Sequence, residues 1–249
     1  MSNTSVRLTN LTLGYDGHPA IRNITGTIRR GSLTAVVGPN GSGKSTLLKG
    51  ITGILAPLSG SCSTSPDARI AYLPQISELD RSFPACVIDL VSLGLWPERG
   101  LFRRHRAQDR QRVTEALAHV GLSGFERKPL SALSGGQLQR ALFARVVLQD
   151  ANIILLDEPF NAVDATTIHD MLTLIKHWHA QKRTILTVIH DIDLVCKHFP
   201  ETLIINGELV AWGETNTVMH QEALPHMQNI AVTSDRQRDK RLHEGASVK

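Results

Sequence analysis

Short apolar runs alternate with amphipathic segments along this chain, a pattern compatible with an α/β fold. Residues 33–37 and 153–156 are mostly aliphatic, as is typical of strands buried in a sheet. Residues 184–189 form a third run of this kind. Apolar residues at helical spacing predict helices over 45–55 and 109–122. The spaced residues are Leu47, Leu48, Ile51 and Ile54 in the first, and Val113, Ala116, Leu117 and Val120 in the second.

The composition is that of an ordinary globular protein. The 249 residues are 41% hydrophobic and 20% charged, enough to bury a core as one α/β domain or a domain with a subdomain. No run approaches the roughly 18 consecutive apolar residues of a membrane span. The polar start, residues 1–5, lacks the plan of a signal peptide, so we expect a cytoplasmic protein.

The net charge and the cysteine content exclude few classes of protein. The formal net charge is +4, but the basic residues concentrate in 99–112 and 236–241, which predicts solvated faces and a tail rather than nucleic-acid binding. Three widely separated cysteines, Cys62, Cys86 and Cys196, predict free buried thiols and neither a disulfide framework nor a zinc site.

Residues 38–46 fit the pattern G-x-x-x-x-G-K-[ST] at every fixed position, between a predicted strand and a predicted helix. Its glycines allow positive φ, so that successive N–H groups can line a concave, anion-binding surface. We expect Lys44 to contact the β- and γ-phosphates and Ser45 to ligate Mg²⁺. A chance glycine-rich turn is the alternative. The predicted phosphate-binding residues are Gly38, Pro39, Asn40, Gly41, Ser42, Gly43, Lys44, Ser45 and Thr46.

Two adjacent carboxylates, Asp157 and Glu158, end the apolar run that begins at residue 153. A buried strand can deliver such acids to a phosphate site. We expect Asp157 to hold Mg²⁺, directly or through water, and Glu158 to polarise the attacking water as general base. The alternative is an acidic turn that closes a core strand before Pro159, and the phosphate loop disfavours it.

A second glycine-rich segment, residues 133–140, precedes a helical pattern and could form another anion cradle at a helix start. Its candidate anion-binding residues are Ser134, Gly135, Gly136 and Gln137. Residue chemistry alone does not say whether the two cradles cooperate. Here the chain resembles the ATP-binding cassette (ABC) ATPases, in which an L-S-G-G-Q signature follows the phosphate loop and precedes the acid-bearing strand.

The resemblance implies roles for further residues. Tyr15 matches the aromatic residue that stacks on adenine. Gln75 matches the glutamine that links the nucleotide site to a helical subdomain and contacts Mg²⁺. Asp164 matches an acid that communicates across a dimer, although Asn161 stands where serine is commonest. His190 matches the switch histidine that contacts the γ-phosphate.

The resemblance covers roughly residues 6–215 and implies a fold. We expect a RecA-like, mostly parallel sheet core, an N-terminal antiparallel β subdomain and a helical insertion over about 76–149. The nucleotide-binding domain would span 1–235, followed by a basic, poorly ordered tail at 236–249.

The resemblance also implies a mechanism and partners. Two copies would bind ATP head to tail, the signature of one facing Lys44 of the other, and hydrolysis would separate them. With one cassette and no fused membrane span, the chain resembles an importer subunit bound peripherally to the cytoplasmic face of the inner membrane. Its partners would be an integral membrane permease and, indirectly, a substrate-binding protein, with no nucleic acid.

Residues 83–94 and 100–104 resemble the matching segment of zinc and manganese importers. A coupling helix of the permease would dock there, beside a rim of Arg99, Arg103 and Arg104. Siderophore or haem importers are the alternative. A soluble ABC ATPase of DNA repair or translation is a rival, but such proteins carry a coiled-coil insertion or a second cassette. The histidines His177, His179, His220 and His226 form no recognisable metal site, and we expect them at the surface.

Overall fold

The computed structural model of the chain describes residues 4–81, 83–96, 107–161 and 163–221. The predicted docking rim at Arg99, Arg103 and Arg104, together with His226 and the tail at 236–249, lies outside the described residues. The chain divides into two compact units. The first comprises Met1–Arg7, Thr27–Leu33 and Ser63–Val188, and the second Leu8–Gly26, Thr34–Cys62 and Ile189–Lys249.

Strands and helices alternate along most of the described chain. The strands are β1 (Thr4–Tyr15), β2 (His18–Arg29), β3 (Leu33–Val37), β4 (Ser59–Thr64), β5 (Ile70–Leu73), β6 (Ile153–Asp157), β7 (Thr184–Val188), β8 (Glu201–Ile205) and β9 (Leu209–Glu214). The helices are α1 (Lys44–Ile51), α2 (Val87–Ser92), α3 (Ala107–His119), α4 (Gly135–Gln149), α5 (Ala165–Ala180), α6 (Ile192–His198) and α7 (Thr215–Gln221). Short 3₁₀ turns lie at Ile76–Glu78, Leu93–Leu95 and Leu130–Ala132.

The first unit contains a parallel sheet in the order β5-β6-β7. Every residue of β6 and β7 is buried, which explains their continuous aliphatic sequences. Helix α4 is buried along much of its length, and its Phe143 ring stacks on Trp178 of α5 with centroids 5.9 Å apart. The end of β6 therefore belongs to a buried part of this unit.

The second unit pairs β3 with β8 in parallel and β8 with β9 antiparallel. Strands β2, β1 and β4 form a three-stranded sheet in that order, which lies largely in this unit. The β1–β2 connection is a two-residue turn in which Asp16 and Gly17 have φ of 50° and 76°, as a type I′ hairpin requires. Parallel and antiparallel pairs thus coexist, and the predicted α/β class is confirmed.

Two expectations need correction. The helix predicted over 45–55 ends at Ile51, because Gly53 turns the chain with φ of 77°, and Ile54 lies 67% exposed rather than on the apolar face. The thiols are free but not buried as predicted: Cys62 and Cys86 are half-buried and Cys196 is exposed. Burial raises the pKa of the Cys62 thiol.

The helix predicted over 109–122 corresponds to α3, and Val113, Ala116, Leu117 and Val120 are all buried. Among the described residues, no helix has both the length and the apolar character needed to cross a bilayer.

Candidate functional site

The phosphate loop of the second unit joins β3 to α1. Gly38, Gly41 and Gly43 all have positive φ, of 154°, 78° and 93°. A Cβ atom at Gly38 would lie 2.0 Å from the carbonyl oxygen of Ile205, and one at Gly43 would lie 2.1 Å from the Cγ2 of Ile21. Side chains are therefore excluded from both positions by packing as well as by backbone conformation.

Lys44 begins α1 and its side chain is almost fully buried. The Nζ atom donates to the carbonyl oxygens of Gly38 and Pro39, at 3.0 and 2.7 Å. These bonds hold the ammonium group over the loop whose N–H groups start the helix. A cation above a helix N-terminus is an arrangement suited to phosphate.

Two further predicted residues lie in the second unit. Tyr15 ends β1 at the hairpin turn and is 48% exposed, so its ring has a face available to a ligand. His190 is exposed and precedes the N-cap of α6, where Asp191 accepts from the backbone N–H of Leu194. The neighbouring Ile189 N–H donates to the carbonyl of Val36 at 3.1 Å, which ties this segment to β3.

The two predicted acids lie at the end of β6 in the first unit. Asp157 is the last strand residue and is 1% exposed, whereas Glu158 lies beyond the strand with φ of 51°. The Nε2 of Gln75 donates to the Oε1 of Glu158 at 3.0 Å and makes a longer contact of 3.5 Å with the Oδ1 of Asp157. The structure thus brings Gln75, Asp157 and Glu158 together.

Two residues absent from the sequence-based site also contact these acids. The Tyr72 hydroxyl donates to the Oδ2 of Asp157 at 3.3 Å, and the Nδ2 of Asn161 donates to the Oε2 of Glu158 at 3.2 Å. The structure, and not the sequence, shows that Tyr72 and Leu73 face opposite sides of β5. Nothing in the sequence indicated the strand partner.

The signature segment of the first unit forms the start of α4. Ser134 is the N-cap, and its Oγ accepts from the Gln137 N–H while the Gln137 Oε1 accepts from the Ser134 N–H, both at 3.2 Å. This reciprocal pair is a capping box. Gly135 and Gly136 follow the cap, so no side chain covers the backbone N–H groups of these two residues.

Gly136 also lies against the cap of a second helix. A Cβ atom there would lie 3.4 Å from the Oγ1 of Thr167 and 3.5 Å from the Oδ2 of Asp164. Asp164 caps α5, since its two carboxylate oxygens accept from the N–H and the hydroxyl of Thr167, at 2.9 and 2.8 Å. The signature and the Asp164 loop are therefore neighbours within one unit.

Hydrogen bonds to the Asp164 carboxylate lower its pKa. The backbone N–H of Thr167 first, and its hydroxyl second, hold the pKa of Asp164 below its usual value because they stabilise the charged form. Arg140 reinforces the junction: one amine of its guanidinium donates to the Thr167 hydroxyl at 3.3 Å and pairs with Asp170 at 2.7 Å.

The chemistry of two predicted Mg²⁺ ligands, one in each unit, suits this ion. Asp157 offers a buried carboxylate, and Ser45 offers a hydroxyl in the first turn of α1. Hard oxygen ligands of this kind are those Mg²⁺ prefers, with phosphate oxygens and water completing its octahedron.

The histidines considered above as metal ligands are exposed or half-buried where the structure describes them. His177 contacts Gln181 through its Nε2 and is exposed, as is His220, while His179 is half-buried. Within the part of the chain that the structure describes, no three His, Cys, Asp or Glu side chains are grouped so that they could hold a metal ion.

The profile of the ABC transporter family matches residues 21–161, more than half of the chain. The manganese transport system ATP-binding protein MntB of Listeria monocytogenes is 38% identical over 88% of this chain and 94% of its own length. The zinc transport system ATP-binding protein TroB of Treponema pallidum is 37% identical over 88% of this chain and 84% of its own.

Solved structures share the fold. An ABC transporter described as metal-chelate type, in an inward-facing conformation, superposes with a TM-score of 0.79 at 29% identity, covering 90% of this chain and 88% of that one. A dimeric ATP-binding cassette bound to ADP and Pi superposes with a TM-score of 0.74 at 26% identity, covering 84% and 98%. The predicted ABC ATPase fold is confirmed.

Proposed function

Because this chain belongs to the ABC transporter family and is an ATP-binding cassette ATPase, we propose that it energises the import of a divalent metal ion, zinc or manganese. The observation that carries this proposal is the likeness, at 37–38% identity over 88% of the chain, to ATP-binding proteins named for manganese and zinc transport. The transported ion would be cargo of a separate permease and would not meet the ATP site.

We assign the phosphate and adenine contacts of ATP to residues of the second unit. In the second unit, residues 38–46 would bind the phosphates through backbone N–H groups, Lys44 would neutralise the β- and γ-phosphates, and Tyr15 would stack on adenine. Ser45, Gln75 and Asp157 are the residues that would hold Mg²⁺, which when bound would supply charge neutralisation for phosphoryl transfer.

Hydrolysis needs a base and a group that senses the γ-phosphate. Glu158 would accept a proton from the attacking water as its oxygen bonds to the γ-phosphorus and the bond to the β–γ bridging oxygen breaks. The products would be ADP and phosphate. Gln75 contacts the Glu158 carboxylate and would position it, and His190 would contact the γ-phosphate.

The cassette would act as a homodimer. Ser134, Gly135, Gly136 and Gln137 of one copy would complete the ATP site of the other, with Asp164 beside them, and loss of the γ-phosphate would release the two copies. Support comes from the adjacency of Gly136 and Asp164 in this chain and from the dimeric cassette among the structural relatives.

A permease would dock on the helical insertion, with this subunit held peripherally at the cytoplasmic face of the membrane. Three large apolar side chains there are solvent-exposed: Phe83 at 64%, Leu93 at 40% and Trp96 at 50%. Exposed aromatic side chains are typical anchors of protein interfaces. A cytoplasmic helix of the permease is the partner that we assign to them, and a substrate-binding protein would deliver the ion to that permease.

One observation favours a second candidate, an importer of a metal chelate such as a siderophore or haem. The structural relative with 29% identity is a metal-chelate type transporter. The rival soluble role in DNA repair or translation has no such support.

Metal uptake by a strain lacking this protein separates these candidates. The strain is grown with a chelator, resupplied with zinc, manganese or a ferric siderophore, and complemented with the wild type, Lys44→Ala or Lys176→Ala, the last an exposed lysine on α5. We expect one metal ion to restore growth and cellular metal content with the wild type and Lys176→Ala but not with Lys44→Ala. Restoration by the siderophore alone would assign the chelate importer. No difference between the strains would contradict import.

A further inference from the structure

Tyr72 of β5 makes two contacts that bear on the predicted ATPase site. Its side chain contacts a predicted Mg²⁺-binding acid, and its backbone contacts the helix that begins with the signature. Its hydroxyl donates to the Oδ2 of Asp157 at 3.3 Å, and its carbonyl oxygen accepts from the Nη2 of Arg145 at 2.7 Å. Arg145 lies on α4, the helix that begins with the signature.

Strand register explains why the tyrosine reaches the acid. Tyr72 pairs with Leu155 of the parallel neighbour β6. Asp157 lies two residues beyond Leu155, and residues two apart on a strand point to the same face. The Tyr72 side chain and the Asp157 carboxylate therefore share a face of the sheet, on a diagonal that a long aromatic side chain can span.

Burial makes the contacts of the Asp157 carboxylate important for its charge. Asp157 is 1% exposed, so a carboxylate there needs donors from the protein or a cation. The Tyr72 hydroxyl approaches one carboxylate oxygen and the Gln75 amide approaches the other, at 3.5 Å. Both contacts act on the orientation of the carboxylate.

Arg145 fixes the strand that carries the tyrosine. Strand β5 stands at the edge of the order β5-β6-β7, where backbone carbonyls need partners other than a strand. Arg145 is largely buried, and desolvation lowers the pKa of its guanidinium. A desolvated, charged donor at 2.7 Å makes a strong bond to a carbonyl, so the end of β5 is tied to α4.

We propose that Tyr72 is a positioning residue of the ATPase site, which orients the Asp157 carboxylate through its hydroxyl from a strand that Arg145 holds against the signature helix. This inference rests on the proposed function, because it concerns an acid assigned to Mg²⁺. If Tyr72 has this role, loss of its hydroxyl changes the Mg²⁺ dependence of ATP hydrolysis and leaves the affinity for the nucleotide unchanged.

Tyr72→Phe in the purified full chain tests the first contact, since it removes one oxygen and keeps the ring. We expect kcat for ATP hydrolysis to fall about 3- to 10-fold, the size of effect of an ordinary hydrogen bond, because the contact is long at 3.3 Å. The Mg²⁺ concentration for half-maximal rate should rise about threefold, while KM for ATP at saturating Mg²⁺ changes less than about twofold. A merely structural tyrosine would lower the melting temperature without moving the Mg²⁺ dependence.

Thr187→Val is the matched control. Thr187 lies on β7 of the same sheet, and its hydroxyl is buried with no hydrogen-bond partner among the described residues. This substitution also removes one hydroxyl from the sheet and should leave both kcat and the Mg²⁺ dependence at wild-type values. Unchanged Mg²⁺ dependence in Tyr72→Phe, or an equal shift in Thr187→Val, would overturn the proposal.

Arg145→Lys tests the second contact, because lysine keeps the charge but not the planar fork. We expect Arg145→Lys to lower kcat. In the double variant with Tyr72→Phe, the fold-decrease in kcat should be smaller than the product of the two single fold-decreases. Multiplicative losses would overturn the role of Arg145. Failure of the proposed function looks different: the wild type would then not hydrolyse ATP with Mg²⁺, or Glu158→Gln would hydrolyse it normally.

Discussion

At the scale of single residues, the phosphate loop depends on the absence of a side chain at Gly38. A Cβ atom there would meet the backbone carbonyl of Ile205 at 2.0 Å, and a backbone oxygen cannot rotate away. We expect Gly38→Ala to lower the free energy of unfolding by roughly 1–3 kcal/mol, the usual cost of overpacking. The displaced loop should also bind ATP more weakly, by about tenfold or more. Chemical denaturation and nucleotide titration measure the two effects.

Gly53→Ala is the control for that substitution. Gly53 also has positive φ, of 77°, but a Cβ atom at this position would meet no atom within 4 Å. It should lose only the backbone preference, about 1 kcal/mol, and keep its ATP affinity. Equal loss of ATP affinity in both variants would contradict a specific role for the approach of Gly38 to Ile205.

Glu158 illustrates a different residue-scale effect. It adopts φ of 51°, which is costly for a side chain without special stabilisation. Its carboxylate accepts from Gln75 and from Asn161, at 3.0 and 3.2 Å. These bonds hold the Glu158 carboxylate in the turn that immediately follows β6.

At the scale of elements, two helix N-termini meet at the signature. Helix α4 is capped by Ser134 and α5 by Asp164, and Gly136 lies against the second cap. Arg140 reaches from α4 to Thr167 and Asp170 of α5. A displacement of either cap would therefore move residues that contact the other cap.

The cap of α5 should make stability depend on pH. The pKa of Asp164 is held below its unfolded value, so the cap contributes stability that is fully present above about pH 4, the unfolded pKa of aspartate. This contribution is lost as pH falls through the lower, folded pKa. We expect Asp164→Ala to melt below the wild type at pH 7 and the gap to narrow at more acidic pH. Thermal unfolding followed by circular dichroism from pH 7 downwards measures it.

Asp89→Ala is a useful comparison, since it removes the carboxylate that accepts from the Cys86 N–H at the start of α2. That variant should hydrolyse ATP normally, whereas Asp164→Ala should not. A melting gap for Asp164→Ala that stays constant as the pH falls would contradict the role of the charged cap.

At the scale of the whole molecule, the proposed function requires two copies of the chain. Glu158→Gln keeps the shape of the side chain but removes the base, so we expect hydrolysis to slow roughly 100-fold or more. With ATP and Mg²⁺, this variant should elute at twice the 27.3 kDa of the monomer, because the γ-phosphate persists. Size exclusion with light scattering measures the mass.

Glu208→Gln provides the matched control, as Glu208 is exposed in the turn before β9. It should hydrolyse ATP at the wild-type rate and show no ATP-stabilised dimer. A Glu158→Gln chain that stays monomeric with ATP while wild-type hydrolysis is intact would contradict the two-copy scheme.

The sequence by itself determined the local parts of this protein. Residues 38–46, the pair Asp157 and Glu158, and the capping residues of α4 are recognisable because their chemistry depends on neighbours in the chain. The aliphatic runs likewise predicted β3, β6 and β7, since a strand buried on both faces tolerates few polar residues.

Only the tertiary structure decided the contacts between distant segments. Tyr72 meets Asp157 through the register of β5 on β6, and Gly136 meets Asp164 through the packing of two helix ends. The physical reason is the same in both cases: periodicity records which face a residue occupies, whereas the element that this face meets depends on side chains far away in the sequence.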